Sequence, residues 1–200
     1  MKNNTSFLKG SKCKLDPIQI RDISVLANLL SKWINDEVVT FYMFTGQFPI
    51  GKSEIVNNIK RDMSGDNIIF LIRRIKTNKI IGYCGLYDIN KTARKAEFRV
   101  LIGDNNCWGK GIGTEVCQMV TFYGFDRVNL NRIYLGYTSA NKAAAKVYVN
   151  AGYVYEGTLK DDIYRNSGYY DTELMAILRD DFYKKYYNNF ANKYKPSINK

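Results

Sequence analysis

The sequence predicts an α/β chain, α+β in detail: one domain on a mixed, mostly antiparallel twisted sheet flanked by helices. Three observations predict it. Apolar strand-like runs follow one another between residues 68 and 102, helical apolar spacing flanks them on both sides, and a glycine-rich bend separates the strand Ala96–Ile102 from a helix over Ile112–Arg127. The 200 residues suit a single core, and 46% hydrophobic content with interspersed charge suits a soluble globular chain.

In chain order, Lys12–Ile18 reads as a first strand. Asp22–Trp33 places Ile23, Leu26, Leu29, Leu30 and Trp33 at helical spacing. Thr40–Gly51 is an aromatic loop with Phe41, Tyr42, Phe44 and Phe48, and Ser53 is expected to cap a second helix reaching about Met63. Ile68–Arg74, Lys79–Tyr87 and Ala93–Ile102 form an antiparallel meander with turn signals at Gly65-Asp66 and Thr77-Asn78. After the helix Ile112–Arg127 come a strand Arg132–Thr138, a helix Asn141–Ala151 and a hairpin pairing Tyr153–Tyr164 with Tyr169–Leu178. These elements place the domain at residues 1–178. The remainder, 179–200, is a basic aromatic tail with a short helix ahead of Pro196.

Composition excludes several classes. The N-terminus has no apolar signal core and no window approaches a membrane span, so a cytoplasmic protein with no membrane partner is expected. Four cysteines without a C-x-x-C pair, in a chain with no histidine, read as reduced thiols and predict no metal. The net charge of +11 points to anionic partners. No recognition motif accompanies that charge, which argues against nucleic acid.

The bend is Cys107-Trp108-Gly109-Lys110-Gly111-Ile112-Gly113-Thr114-Glu115. Glycines let the backbone turn and approach a ligand closely, and the following helix start offers unpaired N–H groups and a positive dipole end. Lys110 adds a mobile charge. A nucleoside-triphosphate loop requires a hydroxyl residue after Gly-Lys, where Gly111 stands; a dinucleotide loop requires a third glycine where Thr114 stands. Neither fits.

The segment W-G-K-G-I-G-T-E resembles the phosphate cradle of the GNAT acyl-CoA N-acetyltransferases, in the variant of the ribosomal-protein-alanine acetyltransferase branch. Trp33-Ile34-Asn35-Asp36-Glu37-Val38, Ile80–Leu86 (I-I-G-Y-C-G-L), Asn131–Leu135, Ser139–Ala144 and Val147–Tyr153 are similar to further motifs of that branch, in order, over roughly Lys12 to Leu178. The resemblance implies acetyl-CoA as cosubstrate. Its pyrophosphate would meet Trp108, Gly109, Lys110, Gly111, Ile112, Gly113 and Thr114, and its pantetheine arm would meet backbone of Val100, Leu101 and Ile102, with Asn141 nearby. It also implies that the strand ending at Ile102 splays from Ile133–Thr138 to form the thioester slot.

Acetyl transfer to a primary amine requires removal of a proton, since such an amine titrates near pH ~10.4, and a proton for the departing thiolate, whose thiol pKa is about 8.5. Without histidine, a tyrosine is the simplest acid, the base is a carboxylate, a tyrosinate or ordered water, and direct attack needs no nucleophile on the enzyme. Tyr148 matches the family's tyrosine beside the cofactor sulfur, although Ala144, Val147, Tyr148 and Ala151 also form a core-like stripe. Glu97 is the candidate base; pairing with Arg99 or a solvent-facing role is the other reading. Asn141 is either a cofactor contact or simply a helix cap.

Trp33, Tyr42, Phe44, Tyr164 and Tyr170, with Phe48 and Tyr169, are candidate acceptor walls; aromatics of this kind can equally seal a core or a homodimer contact. Stacking rings and the basic residues Arg73, Arg74, Arg94, Lys95 and Arg165 favour an amino-sugar nucleotide or similar small anionic amine. A polyamine would be repelled unless a local acidic pocket exists; a protein N-terminus is the remaining amine. A noncatalytic acyl-CoA-binding regulatory module is the reading from another class.

Overall fold

A computed structural model describes residues 6–194. Among these, eight strands make one sheet: β1 (Leu8–Lys9), β2 (Cys13–Pro17), β3 (Ile68–Arg74), β4 (Ile80–Asn90), β5 (Lys95–Ile102), β6 (Arg132–Thr138), β7 (Val154–Arg165) and β8 (Gly168–Leu178). Their spatial order is β1-β2-β3-β4-β5-β6-β8-β7, and every neighbouring pair is antiparallel except β5 with β6. The α-helices are α1 (Ile23–Ile34), α2 (Glu37–Thr40), α3 (Lys52–Ser64), α4 (Ile112–Asp126), α5 (Lys142–Ala151) and α6 (Arg179–Tyr194).

Strand alternation sorts the apolar side chains into two cores, one on each face of the sheet. On β5, Phe98 joins the core around Val116 and Val120 of α4, while Leu101 joins Leu26 of α1 and Ile55 of α3. Burying these two apolar sets commits the sheet to one register, because a one-residue slip would exchange the faces.

The parallel contact between β5 and β6 is brief. Lys95, Ala96 and Glu97 pair with Arg132, Ile133 and Tyr134, and there the pairing ends. Beyond that point Val100, Leu101 and Ile102 stay in register with Cys84, Tyr83 and Gly82 of β4, whereas Leu135 through Thr138 stay with β8. Each strand follows its own antiparallel neighbour, so the sheet opens into a V with its apex at Glu97.

Some boundaries differ from the sequence reading. Ser53 does not cap α3; the helix starts at Lys52 after Gly51, which is extended and provides no side-chain bond. The aromatic loop is preceded by α2, whose cap Asp36 accepts from the N–H groups of Val38 (2.9 Å) and Val39 (3.4 Å). Strand β4 runs on to Asn90 through an irregularity after Tyr87, where Asp88 has φ +50°. The tail forms a 16-residue helix, longer than the short helix expected, and Phe182 is fully buried against Phe125 with ring centroids 5.6 Å apart. That contact ties the first turn of α6 to the core of α4. Pro196 lies outside the described residues.

Candidate active site

The cradle is built as its glycines require. Gly111 caps α4 with φ +72°, a conformation that disfavours any side chain. The N–H groups of Ile112, Gly113 and Thr114 donate to no described residue; the first bond into the turn runs from the Glu115 N–H to Gly111 O at 3.2 Å. The Ile112 side chain is in the core, so its amide alone faces the site. At Gly113 an added Cβ would lie 3.3 Å from Val147 Cγ2, so this glycine also lets α4 and α5 pack closely. The Trp108 indole N–H donates to Ile102 O at 2.7 Å, which ties the bend to the end of β5 and occupies that carbonyl. Val100 and Leu101 follow the V's open edge with no β6 partner.

Lys110 is less mobile than expected: its ammonium donates to Asn106 O. A second cation, missed in the sequence, stands beside it. The Lys12 ammonium donates to Lys110 O at 2.9 Å and would lie 2.4 Å from a Cβ on Gly111. Glu115 puts it there. Its carboxylate accepts from the Ser11 N–H (2.6 Å), the Ser11 hydroxyl (2.5 Å), the Lys12 N–H (2.9 Å) and the Cys13 N–H (3.0 Å). Burial acts to raise the Glu115 pKa, but these donors outweigh it and hold the carboxyl below its ordinary value. Nothing in the sequence marked a contact spanning about a hundred residues.

Tyr148 is 9% exposed, its ring 5.6 Å from that of Tyr137 and 6.3 Å from that of Tyr153. The Tyr153 hydroxyl shares a hydrogen bond with Thr121 at 2.8 Å, whereas the Tyr148 hydroxyl makes none with any described residue. Its oxygen is nevertheless not sealed off: the one buried side-chain polar atom lacking a partner among the described residues is Arg165 Nε. Burial, with smaller effects from Cys117, Tyr137 and Glu97, pushes the Tyr148 phenol well above its ordinary pKa. The ring therefore packs as core while its hydroxyl stays protonated and unengaged, as a proton donor must be. Asn141 caps α5, its side-chain oxygen accepting from the Ala144 N–H at 3.0 Å.

Glu97, at the apex, does pair with Arg99: Nη2 donates to Glu97 Oε2 at 2.6 Å and to Asp88 Oδ2 at 2.9 Å. The guanidinium also lies over the Tyr87 ring, 4.7 Å from its centroid. Asp62 of α3 completes the group. Its charge is felt at Tyr83 and Tyr87, and burial raises its own pKa against the opposing pull of Arg61 and Arg99. Burial chiefly, with Asp62 adding, pushes the Tyr83 phenol up to about 12. Two carboxylates thus hold one guanidinium at the apex, and Asp62 lies within its electrostatic reach.

The expected acceptor residues do not all converge. Trp33 is 8% exposed and packs in the core beside Gly103, in the cluster that Met43 and Ile50 of the loop also join. Tyr42, Phe44 and Phe48 are exposed on that loop; Tyr164 and Tyr169 pair at the hairpin tip with centroids 5.1 Å apart, and Tyr170 is half-buried behind them. Loop and tip meet where Gln47 Nε2 donates to Tyr164 O at 2.9 Å. The basic residues expected to draw a phosphate are largely engaged. Arg165 is buried, Arg73 pairs with Asp16 (3.2 Å) and Asp22 (3.5 Å), and Arg94 donates to Asn129.

The sequence profile described as an Acetyltransferase (GNAT) domain matches residues 13–154. The chain belongs to the GNAT acetyltransferase family. It is 24% identical over 179 residues to the uncharacterized N-acetyltransferase p20 of Bacillus licheniformis, covering 88% of this chain and 97% of the relative. It is 27% identical over 163 residues to the spermidine N(1)-acetyltransferase of Vibrio cholerae, covering 82% and 87%. The crystal structure of spermidine N-acetyltransferase from Vibrio cholerae in complex with CoA and spermine superposes with a TM-score of 0.76 at 25% identity, covering 86% of this chain and 99% of the other. This GNAT enzyme is accordingly an N-acetyltransferase, with the family's single α/β domain and splayed strand pair.

Proposed function

We propose that this GNAT enzyme transfers an acetyl group from acetyl-CoA to a primary amine of a polyamine. The observation that carries the acceptor is the apex cluster: Asp88 and Glu97 are both ion-paired to Arg99, and Asp62 lies within electrostatic reach of the same guanidinium. A chain of net charge +11 repels a polycation at long range, but the carboxylates gathered at the apex give such an acceptor acidic groups to meet. The Vibrio cholerae relative is named a spermidine N(1)-acetyltransferase. The amino-sugar nucleotide suggested by the sequence finds no comparable support, because Arg165 and Arg73, which would have met its phosphates, are buried or paired.

The residues present suit coenzyme A. Unpaired amides of Ile112, Gly113 and Thr114, with the ammonium groups of Lys110 and Lys12, offer donors and positive charge to a pyrophosphate. The unpaired edge of Val100–Leu101 offers backbone groups to the pantetheine amides in the manner of an added strand. The cosubstrate supplies an activated acyl carbonyl and a thiolate leaving group. Glu97 accepts the ammonium proton, directly or through a water, so that the amine can attack. Tyr148 donates its proton toward the leaving sulfur; its hydroxyl has no other partner among the described residues and burial keeps it protonated at neutral pH.

The test is acetyl-CoA-dependent thiol release with spermidine, spermine, an amino-sugar nucleotide and an N-terminal alanyl peptide. Turnover of the polyamines well above the rest is expected. Preferential turnover of the peptide would instead favour the ribosomal-protein branch, and coenzyme A binding without turnover of any amine would favour a regulatory module.

A further inference from the structure

Arg165 is 7% exposed and has no ion-pair partner among the described residues. Its guanidinium is spent on one short stretch of chain. Nη1 donates to Met43 O (3.1 Å) and Thr45 O (2.9 Å), and Nη2 donates to Thr40 Oγ1 (3.1 Å) and Gly46 O (3.4 Å). Thr40 in turn donates to Asp36 O at 2.9 Å. The base of the latch is stiff, because Arg165 pairs with Gly168 across a two-residue turn whose Asn166 and Ser167 both have positive φ (+50° and +62°). Two further bonds hold the same loop: Gln47 to Tyr164 O, and Thr138 Oγ1 to Tyr42 O at 2.8 Å. Thr138 ends β6, the arm of the V that faces the acceptor-side loop.

A buried guanidinium balanced only by neutral carbonyl and hydroxyl oxygens, with one N–H unmet, is a costly way to stabilise a fold. Its geometry does something else: four hydrogen bonds from the two Nη atoms of a rigid fork converge residues 40–46 into one conformation, which a packed apolar side chain would not. We propose that Arg165 is a specificity-determining positioning residue. It locks the loop bearing Tyr42 and Phe44 against the hairpin tip, so that these rings wall the entrance used by a long amine. This inference rests on the polyamine reading above.

The experiment compares the full-length wild type with Arg165→Met and Arg165→Lys. Three readouts are used: spermidine kinetics, calorimetry with CoA, and hydrogen exchange at amides 41–48. In Arg165→Met the spermidine KM should rise about tenfold, with kcat within about twofold and CoA affinity unchanged, and the loop should exchange faster. Lysine, a point donor, should rescue only part of the KM. An unchanged KM overturns the proposal. So does a KM rise accompanied by weaker CoA binding, which would mark general loss of packing. If the wild type releases no thiol with spermidine, the acceptor reading fails and exchange alone decides: an unaltered loop overturns the latch, a faster one supports it. Should Arg165→Met fail to fold, Thr40→Val removes one acceptor of the fork and must move KM and exchange the same way by a smaller amount.

Discussion

Lys12 holds its ammonium 2.9 Å from the carbonyl oxygen of Lys110, at the end of α4 where the helix dipole is already positive. A second ammonium, that of Lys110, lies on the same bend, and the nearby carboxylate of Glu115 is consumed by five donors from Ser11, Lys12 and Cys13. Like charges gathered at a helix N-terminus are unfavourable until an anion arrives. An ammonium has three N–H donors, and Lys12 uses one on Lys110. The first prediction follows from this excess. Lys12→Met should weaken CoA binding by about 3- to 10-fold in calorimetry, with a shallower salt dependence, while Lys12→Arg should restore it. Wild-type affinity in Lys12→Met would remove this residue from the phosphate site.

Glu115 links the same turn to stability. Its folded pKa lies below the ordinary carboxylate value near 4.5, so its contribution is fully present above that value and is lost as pH falls through the folded pKa. Glu115→Gln should cost about 1–2 kcal/mol at neutral pH, discounted because the group is half-exposed. The gap between wild type and variant should narrow below about pH 4.5 in thermal melts. A gap that is constant with pH would refute the charge-specific account.

Tyr148→Phe keeps the ring that packs against Tyr137 and deletes the unengaged hydroxyl. We expect kcat to fall on the order of 100-fold, with CoA affinity and Tm close to wild type. Because burial keeps the wild-type phenol protonated far into the alkaline range, its activity should show no loss from Tyr148 ionisation at pH ~9. Comparable turnover in the two proteins would dismiss Tyr148 as the acid.

Glu97→Gln deletes the apex carboxylate and leaves Arg99 bound to Asp88. The expected result is a loss of kcat on the order of 100-fold, measured at saturating amine so that weaker acceptor binding does not contribute. Retained kcat with a higher amine KM would make Glu97 a binding carboxylate and not the base.

Gly103→Ala tests the packing behind the site. A Cβ there would meet the Trp33 ring at 2.0 Å, and the indole has no room to move within the core of α1 and α3. Destabilisation of about 1–3 kcal/mol is expected in denaturant unfolding. An unaffected midpoint would mean that Trp33 is not wedged as described.

Local chemistry made much of this legible in the sequence. Helical spacing located Leu26 and Leu30 of α1 in the core, alternation put Phe98 and Leu101 on opposite faces, and the glycine-rich bend placed the start of α4 at Ile112. Caps are not legible in the same way: Asp36 and Asn141 cap helices, and Ser53 does not, because Gly51 holds the cap position of α3. Trp33 was readable as apolar and helical, but not as core or pocket, since both environments select the same side chain.

Spacing along the chain set the elements, their faces and the glycine-rich bend, because these depend on residues a few positions apart, whereas Tyr148 stood as a candidate through the resemblance to a known family and Glu97 as one of two readings. Tertiary structure alone decided that Glu97 stands at the apex of the opened strands, that Lys12 reaches the bend from a distant turn, and that Arg165 is spent on the 40–46 loop. Such contacts join segments separated by as many as 125 residues, and no periodicity or motif encodes which distant partner a charged side chain will find once the chain has folded.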